Sequence, residues 1–222
     1  MNKKKLLAHG VYPSYVYKAF NEREYLEWFI DEGKFRLGNL RTYKSIEDLA
    51  RRDNDEGTAV YRRPGMVTSV AFSKDNDDTF VTEAPGHINT HTELGNPKFV
   101  FCTSLPNVNL QYMKERFGKY IVKITEPKTF AQDISQYLYS IPTRFAGGIE
   151  GIEIQYNRNE IIEKELDNKD RVTLSYSQKS FEFKDETEFR FVALVLGTPS
   201  KRYNEDYLDI NIGKRLQYVD IV

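Results

Sequence analysis

The sequence predicts an α+β fold with a mixed, mostly antiparallel sheet and short helices. Short alternating runs of β-branched and aromatic residues recur along the chain, and segments with helical spacing fall irregularly between them. That irregular order argues against a parallel, doubly wound sheet. Because 222 residues, 40% of them hydrophobic, can bury a sizeable core, we expect one domain over residues 1–222.

The first elements are two strands around a helix. The run VYKAF alternates and predicts a strand, and KFRLGN predicts another. Between them, apolar residues recur at helical spacing after Asn21, a suitable N-cap, and Gly33 suits the end of the helix. A short polar helix capped by Ser45 follows.

Residues 74–97 predict a long mobile loop, because they are acidic and rich in turn-forming residues. His87 and His91 lie four residues apart within it, a spacing that would make a metal pair on a helix. The surrounding glycine, asparagine and threonines favour a loop, so no metal site is expected.

The second half of the chain alternates less regularly between strands and helices. KFVFCTSL predicts a buried strand, and Asn107 is expected to cap a helix that ends at Gly118. The later predicted elements are KYIVKI (strand), KTFAQDISQYLY (helix), GIEIQY (strand), NEIIEKELD (helix), EFRFVALVLG (the longest strand), YLDINIG and LQYVDIV (strands). The last two strands are expected to pair through a turn at Gly213.

Composition excludes several classes of protein. Thirty-two basic and thirty-three acidic residues give a net charge of -1, so no global field attracts nucleic acid or anionic lipid. Cys102 is the only cysteine, which excludes an intramolecular disulfide and suits a reducing cytosol. No apolar run approaches the roughly 18 residues of a membrane span. A cytoplasmic protein without a membrane partner is therefore expected.

Charged residues open the longest predicted strand at alternate positions: Glu186, Glu188 and Arg190. In an extended chain Phe189 and Phe191 share one face, while Glu188 and Arg190 share the other with apolar residues beyond them. This pattern places the charges at the mouth of a cleft and marks a candidate functional site. The alternative is a structural ion pair of Glu188 and Arg190 at a sheet margin.

Two motifs resemble mono-ADP-ribosyltransferases. Glu186-Thr187-Glu188 at a strand start is similar to their E-x-E motif, and FVFCTS, with Thr103 and Ser104, is similar to their aromatic-x-S-T-S strand. The resemblance implies an ADP-ribosyltransferase-like fold and NAD as substrate. It also implies that Glu188 holds the nicotinamide ribose and supports an oxocarbenium-like transition state.

A second resemblance covers most of residues 15–195. The succession of VYKAF, FRLGNL, FCTSL, LQYMKERFGKYIVKI, GIEIQY and ETEFRFV resembles a widespread bacterial family found near phage-defence loci. It implies a toxin or phage-defence effector. Both resemblances direct attention to the Glu188 strand.

Roles for the candidate residues follow from the proposed chemistry. Cleaving the nicotinamide glycosidic bond develops positive charge on ribose, which a fixed Glu188 carboxylate would stabilise while Glu186 activates the acceptor. Thr103 or Ser104 would hydrogen-bond Glu188 and keep it ionised. The family's usual NAD-binding arginine is absent from VYKAF, where Lys18 or Tyr17 takes its place, and the candidate substitutes elsewhere are Arg41, Arg51 and Arg52. Tyr17 and Tyr43 would stack on nicotinamide, and Lys18 or Arg41 would bind the pyrophosphate. Ordinary packing or solvated charge is the alternative for these contacts.

The sequence therefore predicts an NAD-dependent ADP-ribosyltransferase that acts on a nucleic acid or protein acceptor, with a cognate inhibitor or antitoxin as a candidate partner. A non-catalytic binding module, docking a partner through residues 74–97, is the alternative. A metal-dependent nuclease using Asp185, Glu186 and Glu188 ranks last, because adjacent strand residues face opposite sides.

Overall fold

A computed structural model describes residues 8–40, 42, 58–72, 79–93, 98–140, 145–158, 176–195 and 206–222 of the chain. The strands are β1 (Ala8–Gly10), β2 (Val16–Phe20), β3 (Lys34–Asn39), β4 (Thr58–Phe72), β5 (Thr79–Glu93), β6 (Lys98–Ser104), β7 (Tyr120–Ile124), β8 (Phe145–Glu153), β9 (Glu188–Val195), β10 (Tyr207–Asn211) and β11 (Val219–Ile221). The α-helices are α1 (Arg23–Glu27), α2 (Leu110–Phe117) and α3 (Pro127–Ser140); a π-helical segment spans Trp28–Glu32 and a 3₁₀ helix Phe181–Glu186.

Most of the described strands form one large sheet. Its order is β1-β8-β9-β6-β2-β7-β11, and β3 pairs with both β6 and β10. The β1–β8 pair is parallel and the other described pairs of this sheet are antiparallel. The predicted α+β class with a mixed, mostly antiparallel sheet is confirmed.

The main core lies on one face of this sheet, beneath α3. Phe130 of α3 packs against Phe101 of β6 and Phe191 of β9, with ring centroids 5.5 and 5.1 Å apart. Val192 projects to the opposite face and joins a second buried cluster with Val100 and Tyr176. The predicted sorting of β9 side chains into two faces is confirmed, and both faces of the strand are buried.

Strand β6 positions the candidate site because it pairs with β9 along one edge and with β3 and β2 along the other. One edge pairs with β9 along Lys98–Ser104. The other edge pairs with β3 at Phe99 and Val100, and with β2 only at Ser104. The end of β6 that carries Ser104 is therefore flanked by β2 and by the start of β9.

The predicted loop over residues 74–97 is wrong for Thr79–Glu93. These residues form β5, which pairs with β4 along its whole length, from Thr79 opposite Phe72 to Glu93 opposite Thr58. Backbone pairing with the preceding strand overrides the local turn preferences of this segment, as is common for β structure. His87 and His91 lie in β5, and residues 73–78 and 94–97 lie outside the described residues.

Helix starts and the last strand pairing also differ from the predictions. The first helix has Glu22, not Asn21, at its N-cap, and α2 is capped by Asn109, not Asn107. Strands β10 and β11 do not pair with each other, because β10 joins β3 and β11 joins β7. The terminal glycines are as expected: Gly33 ends the first helical segment at φ 63°.

Some expectations have no structural outcome. The helices predicted from Ser45 and from NEIIEKELD lie outside the described residues, and the single domain over residues 1–222 stays a prediction. Among the described helices, none is long and apolar enough to cross a membrane.

Candidate functional site

Glu188, the first residue of β9, is buried in a network of opposite charges. Its side chain is 5% exposed and receives Arg190 in a two-pronged contact, Nε to Oε1 at 2.6 Å and Nη2 to Oε2 at 3.3 Å. The Lys179 ammonium lies 2.7 Å from the same Oε2. Such charge-assisted, bidentate contacts fix the position of a carboxylate.

Lys179 links the two glutamates of the E-x-E motif. Its Nζ lies 2.6 Å from Glu186 Oε2 as well as 2.7 Å from Glu188 Oε2. The backbone around it is held to the segment that follows β8, because the Lys179 amide donates to Gln155 O at 3.0 Å and the Arg158 amide donates to Lys179 O at 3.2 Å. The lysine is therefore a fixed part of the site.

Glu186 reaches the site from a 3₁₀ helix and not from the strand. Glu186 would extend the polar row of β9 only if the strand began before Glu188, but β9 begins at Glu188 and Thr187 adopts a left-handed conformation at φ 42°. Glu186 is nevertheless 5% exposed and turned towards Lys179. Arg116 of α2 lies 3.9 Å from its other oxygen.

The two glutamates have pKa values that are shifted in opposite directions. Burial alone would raise the pKa of Glu188, but the attraction of Arg190 and Lys179 lowers it below its ordinary range. Burial raises the pKa of Glu186, and repulsion from Glu188 adds to this, while Lys179 and Arg116 oppose it. Glu188 is therefore held as the anion, and Glu186 is the carboxylate that takes up a proton more readily.

Cys102 lies beside Glu188 on the neighbouring strand. It pairs in register with Arg190, and its thiol hydrogen-bonds the Glu188 carboxylate. Burial and the nearby carboxylate raise the pKa of Cys102 to about 12, so the thiol stays protonated at neutral pH. A protonated thiol is a poor nucleophile and acts here as a hydrogen-bond donor.

The hydroxyl pair of β6 divides between the two faces of the sheet. Thr103 does not hydrogen-bond the Glu188 carboxylate as predicted; its hydroxyl donates to Phe189 O at 2.7 Å. Ser104 is directly opposite Glu188 in the register, and Tyr17 of β2 is directly opposite Ser104. Paired strand residues project from the same face, so Tyr17, Ser104 and Glu188 form one row across three strands.

Among the expected cationic contacts, Lys18 is not brought to this row. Lys18 neighbours Tyr17 and therefore projects to the opposite face, where its Nζ donates to Cys102 O at 2.9 Å and lies over the Phe101 ring. Arg41, Tyr43 and Arg51 lie outside the described residues.

Glu188 does not line the cavity found in this part of the molecule. A cavity of about 360 Å³ is bounded by Phe189, Leu105 and the edge of β8, together with residues 10–13. Because Phe189 and Glu188 project to opposite faces of β9, this cavity is not the predicted cleft, and the position of Glu188 at the mouth of a cleft stays a prediction. Among the described residues, no group of three or more metal-binding side chains is assembled.

Sequence reasoning missed Lys179, Arg116, Cys102 and Tyr156 as site residues. The Tyr156 hydroxyl accepts the Glu188 amide hydrogen bond at 2.6 Å, so even the backbone of Glu188 is held from a neighbouring element. Cys102 could have been found from its place two residues before Ser104 on one strand face. Lys179 lies in SYSQKS, which has no periodicity to mark it.

Fold and site together define an α+β protein in which two buried glutamates contact one lysine and have pKa values shifted in opposite directions. No protein-family model matches the chain, and comparisons with curated proteins and with solved structures give no match either.

Proposed function

We propose that this protein is an NAD-dependent ADP-ribosyltransferase, a toxin or phage-defence effector that transfers ADP-ribose to a nucleic acid or protein. The observation that carries the proposal is the pair Glu186 and Glu188, joined by Lys179 and differing in the direction of their pKa shifts. Paired carboxyl groups with separated pKa values are typical of acid–base and glycosidic chemistry.

Each glutamate has its own role in the proposed reaction. As the bond between ribose and nicotinamide breaks, its electron pair leaves with nicotinamide and positive charge develops on the ribose. Glu188, a fixed anion, stabilises that charge electrostatically. The acceptor's oxygen or nitrogen then bonds to the ribose carbon, and Glu186 takes the proton that the acceptor loses.

The row across the sheet supports the location of NAD. Tyr17 and Ser104 stand beside Glu188 on the same face, where Tyr17 can stack on an aromatic ring and Ser104 can bond a ribose hydroxyl. Arg41, Tyr43 and Arg51 stay candidates for the remaining contacts.

The test is transfer of label from NAD to DNA, RNA and protein acceptors, compared among wild type, Glu188→Gln, Glu186→Gln and Glu182→Gln. Glu182 is an exposed glutamate of the same 3₁₀ helix and is the matched control. We expect Glu188→Gln to reduce transfer at least about 100-fold while Glu182→Gln retains it. Circular dichroism on each variant separates lost chemistry from lost folding.

A non-catalytic binding module is the second candidate, and one observation favours it. Glu188 is 4% exposed and both of its oxygens contact cations, the arrangement of a structural ion cluster. In that case neither wild type nor any variant releases nicotinamide or transfers label, and the effect of Glu188→Gln is limited to a lower melting temperature.

A further inference from the structure

The cavity at the β1 end of the sheet exists because β1 is short. Its parallel pairing with β8 stops at Gly10 opposite Gly151, while β8 continues to Glu153. Gly10 has φ 92°, and the chain turns away from the sheet edge there. The outer edge of the last two β8 residues is left as one wall of a cavity of about 360 Å³.

The floor of this cavity is aromatic and closely packed. The Tyr12 ring lies 6.0 Å from the Phe189 ring and occupies the space beside Gly151, where a Cβ atom would approach the ring to 2.5 Å. Packing on this scale fixes the Tyr12 ring as a preformed surface. The remaining apolar walls come from Val11, Pro13, Leu105 and Ile152.

The charged residues among the described lining residues are both glutamates. Glu150 and Glu153 line the cavity, and none of the described residues that line it is basic. Glu150 pairs with Val192, so its side chain projects to the opposite face of β8, where the Tyr176 hydroxyl donates to its Oε2 at 2.8 Å. Its charge still acts on Tyr12. Glu153 pairs with Phe189 and is therefore the carboxylate on the cavity face. Glu153 is exposed at the rim.

We infer that this cavity binds a small organic cation, an ammonium or guanidinium group on a short aliphatic body. The aromatic ring attracts a cation through its face, the Glu153 carboxylate pairs with it, and the apolar walls cover its carbon chain. The Glu153 carboxylate would repel an anion. The volume lies at the lower end of the range for small-molecule sites, which suits a fragment-sized ligand.

This inference does not depend on the proposed transferase activity, because neither Glu186 nor Glu188 lines the cavity. The test uses the full chain at low salt and follows amide chemical shifts by NMR during titration. The probes are n-butylamine, 1,4-diaminobutane and a blocked peptide with one arginine, with butyrate and n-butanol as matched anionic and neutral compounds.

We expect saturable shifts around Gly10–Tyr12 and Gly151–Glu153 with a Kd of about 1 to 10 mM for the amines, as is typical of ligands of this size. Glu153→Gln should weaken amine binding about tenfold, and Glu24→Gln, an exposed glutamate on α1, should leave it unchanged. If the peptide binds more tightly than the free amines, the natural ligand is an arginine or lysine side chain of another protein. If the amines bind more tightly than the peptide, the natural ligand is a free small molecule.

Three results would overturn the inference. They are the absence of saturable shifts with any cationic probe, equal binding of butyrate or n-butanol, and equal weakening by Glu153→Gln and Glu24→Gln. A heteronuclear spectrum of each variant checks that the fold is retained.

Discussion

At the scale of single residues, the ion cluster around Glu188 makes that carboxylate a strong determinant of stability. Replacing Glu188 by Gln leaves Arg190 and Lys179 as buried cations with one carboxylate fewer. Removing one partner of a buried ion pair typically costs about 3 to 5 kcal/mol. We expect a loss of that size in urea unfolding at neutral pH.

The control for this prediction is Glu27→Gln. Glu27 pairs with Arg23 at 2.8 Å, but both side chains are exposed, at 52% and 75%. Exposed pairs contribute only about 0 to 1 kcal/mol, so the two glutamine variants should differ severalfold in their effect. Equal losses would show that Glu188 is not held as tightly as its contacts indicate.

The pH dependence should distinguish the two glutamates. Glu188 has a lowered pKa, so its contribution to stability is present above the unfolded pKa of about 4.3 and is lost as pH falls through its folded pKa. Glu186 has a raised pKa, so its contribution is present below about 4.3 and is lost as pH rises through its folded pKa.

The two variants should therefore show opposite trends in urea unfolding between about pH 3 and 8. The loss of stability in Glu188→Gln should shrink towards acid pH, whereas that in Glu186→Gln should grow. Parallel trends in the two series would contradict the opposite pKa shifts.

At the scale of elements, the cap of α2 offers a direct comparison. The Asn109 side chain accepts hydrogen bonds from the amides of Gln111 at 2.9 Å and Tyr112 at 3.1 Å. Asn109→Ala should cost about 1 kcal/mol. Asn107→Ala, at the position favoured by the sequence but exposed in the preceding turn, should change stability by less than about 0.5 kcal/mol. Chemical denaturation measures both, and a larger effect at Asn107 would reverse the assignment.

Alanine substitutions at two glycines distinguish the cost of backbone strain from the cost of steric overlap. Gly33 and Gly213 both have positive φ, at 63° and 73°, but a Cβ at Gly33 would lie 2.8 Å from Ile212 Cβ, whereas at Gly213 the nearest atom is 4.0 Å away. Gly213→Ala should cost about 1 to 2 kcal/mol from the left-handed backbone alone. Gly33→Ala should cost more, because a backbone or side chain must also move. Equal melting temperatures for the two variants would contradict this.

The strands also show which structural features can be predicted from a short stretch of sequence and which depend on distant residues. Alternation along β9 correctly assigned Phe191 and Val192 to opposite faces, because a period of two needs no knowledge of the neighbouring strands. The partners of β10 and β11 could not be read in this way, since either strand could pair with any open edge. The same limit hid Lys179, which meets Glu186 and Glu188 only through the pairing of its segment with the residues that follow β8.

At the scale of the whole molecule, the strands differ in how many neighbouring strands they pair with and in how much of their surface is buried. Strands β6 and β9 have partners on both edges and bury side chains on both faces, including Phe191 and Val192 at 0% exposure. Strands β4 and β5 form a separate two-stranded sheet and pair only with each other within the described residues. An isolated two-stranded hairpin is marginally stable in water.

Hydrogen exchange should therefore divide the chain into at least two units. Peptides that cover Lys98–Ser104 and Glu188–Val195 should exchange only on global unfolding, and those within Thr58–Phe72 and Thr79–Glu93 much sooner. The control is β10, which also has one strand partner but belongs to the large sheet; it should exchange at an intermediate rate. Mass spectrometry at neutral pH measures all of these peptides in one experiment. If the β4–β5 peptides exchange as slowly as β6 and β9, the hairpin unfolds together with the core, and the mobility predicted for residues 74–97 is wrong as well.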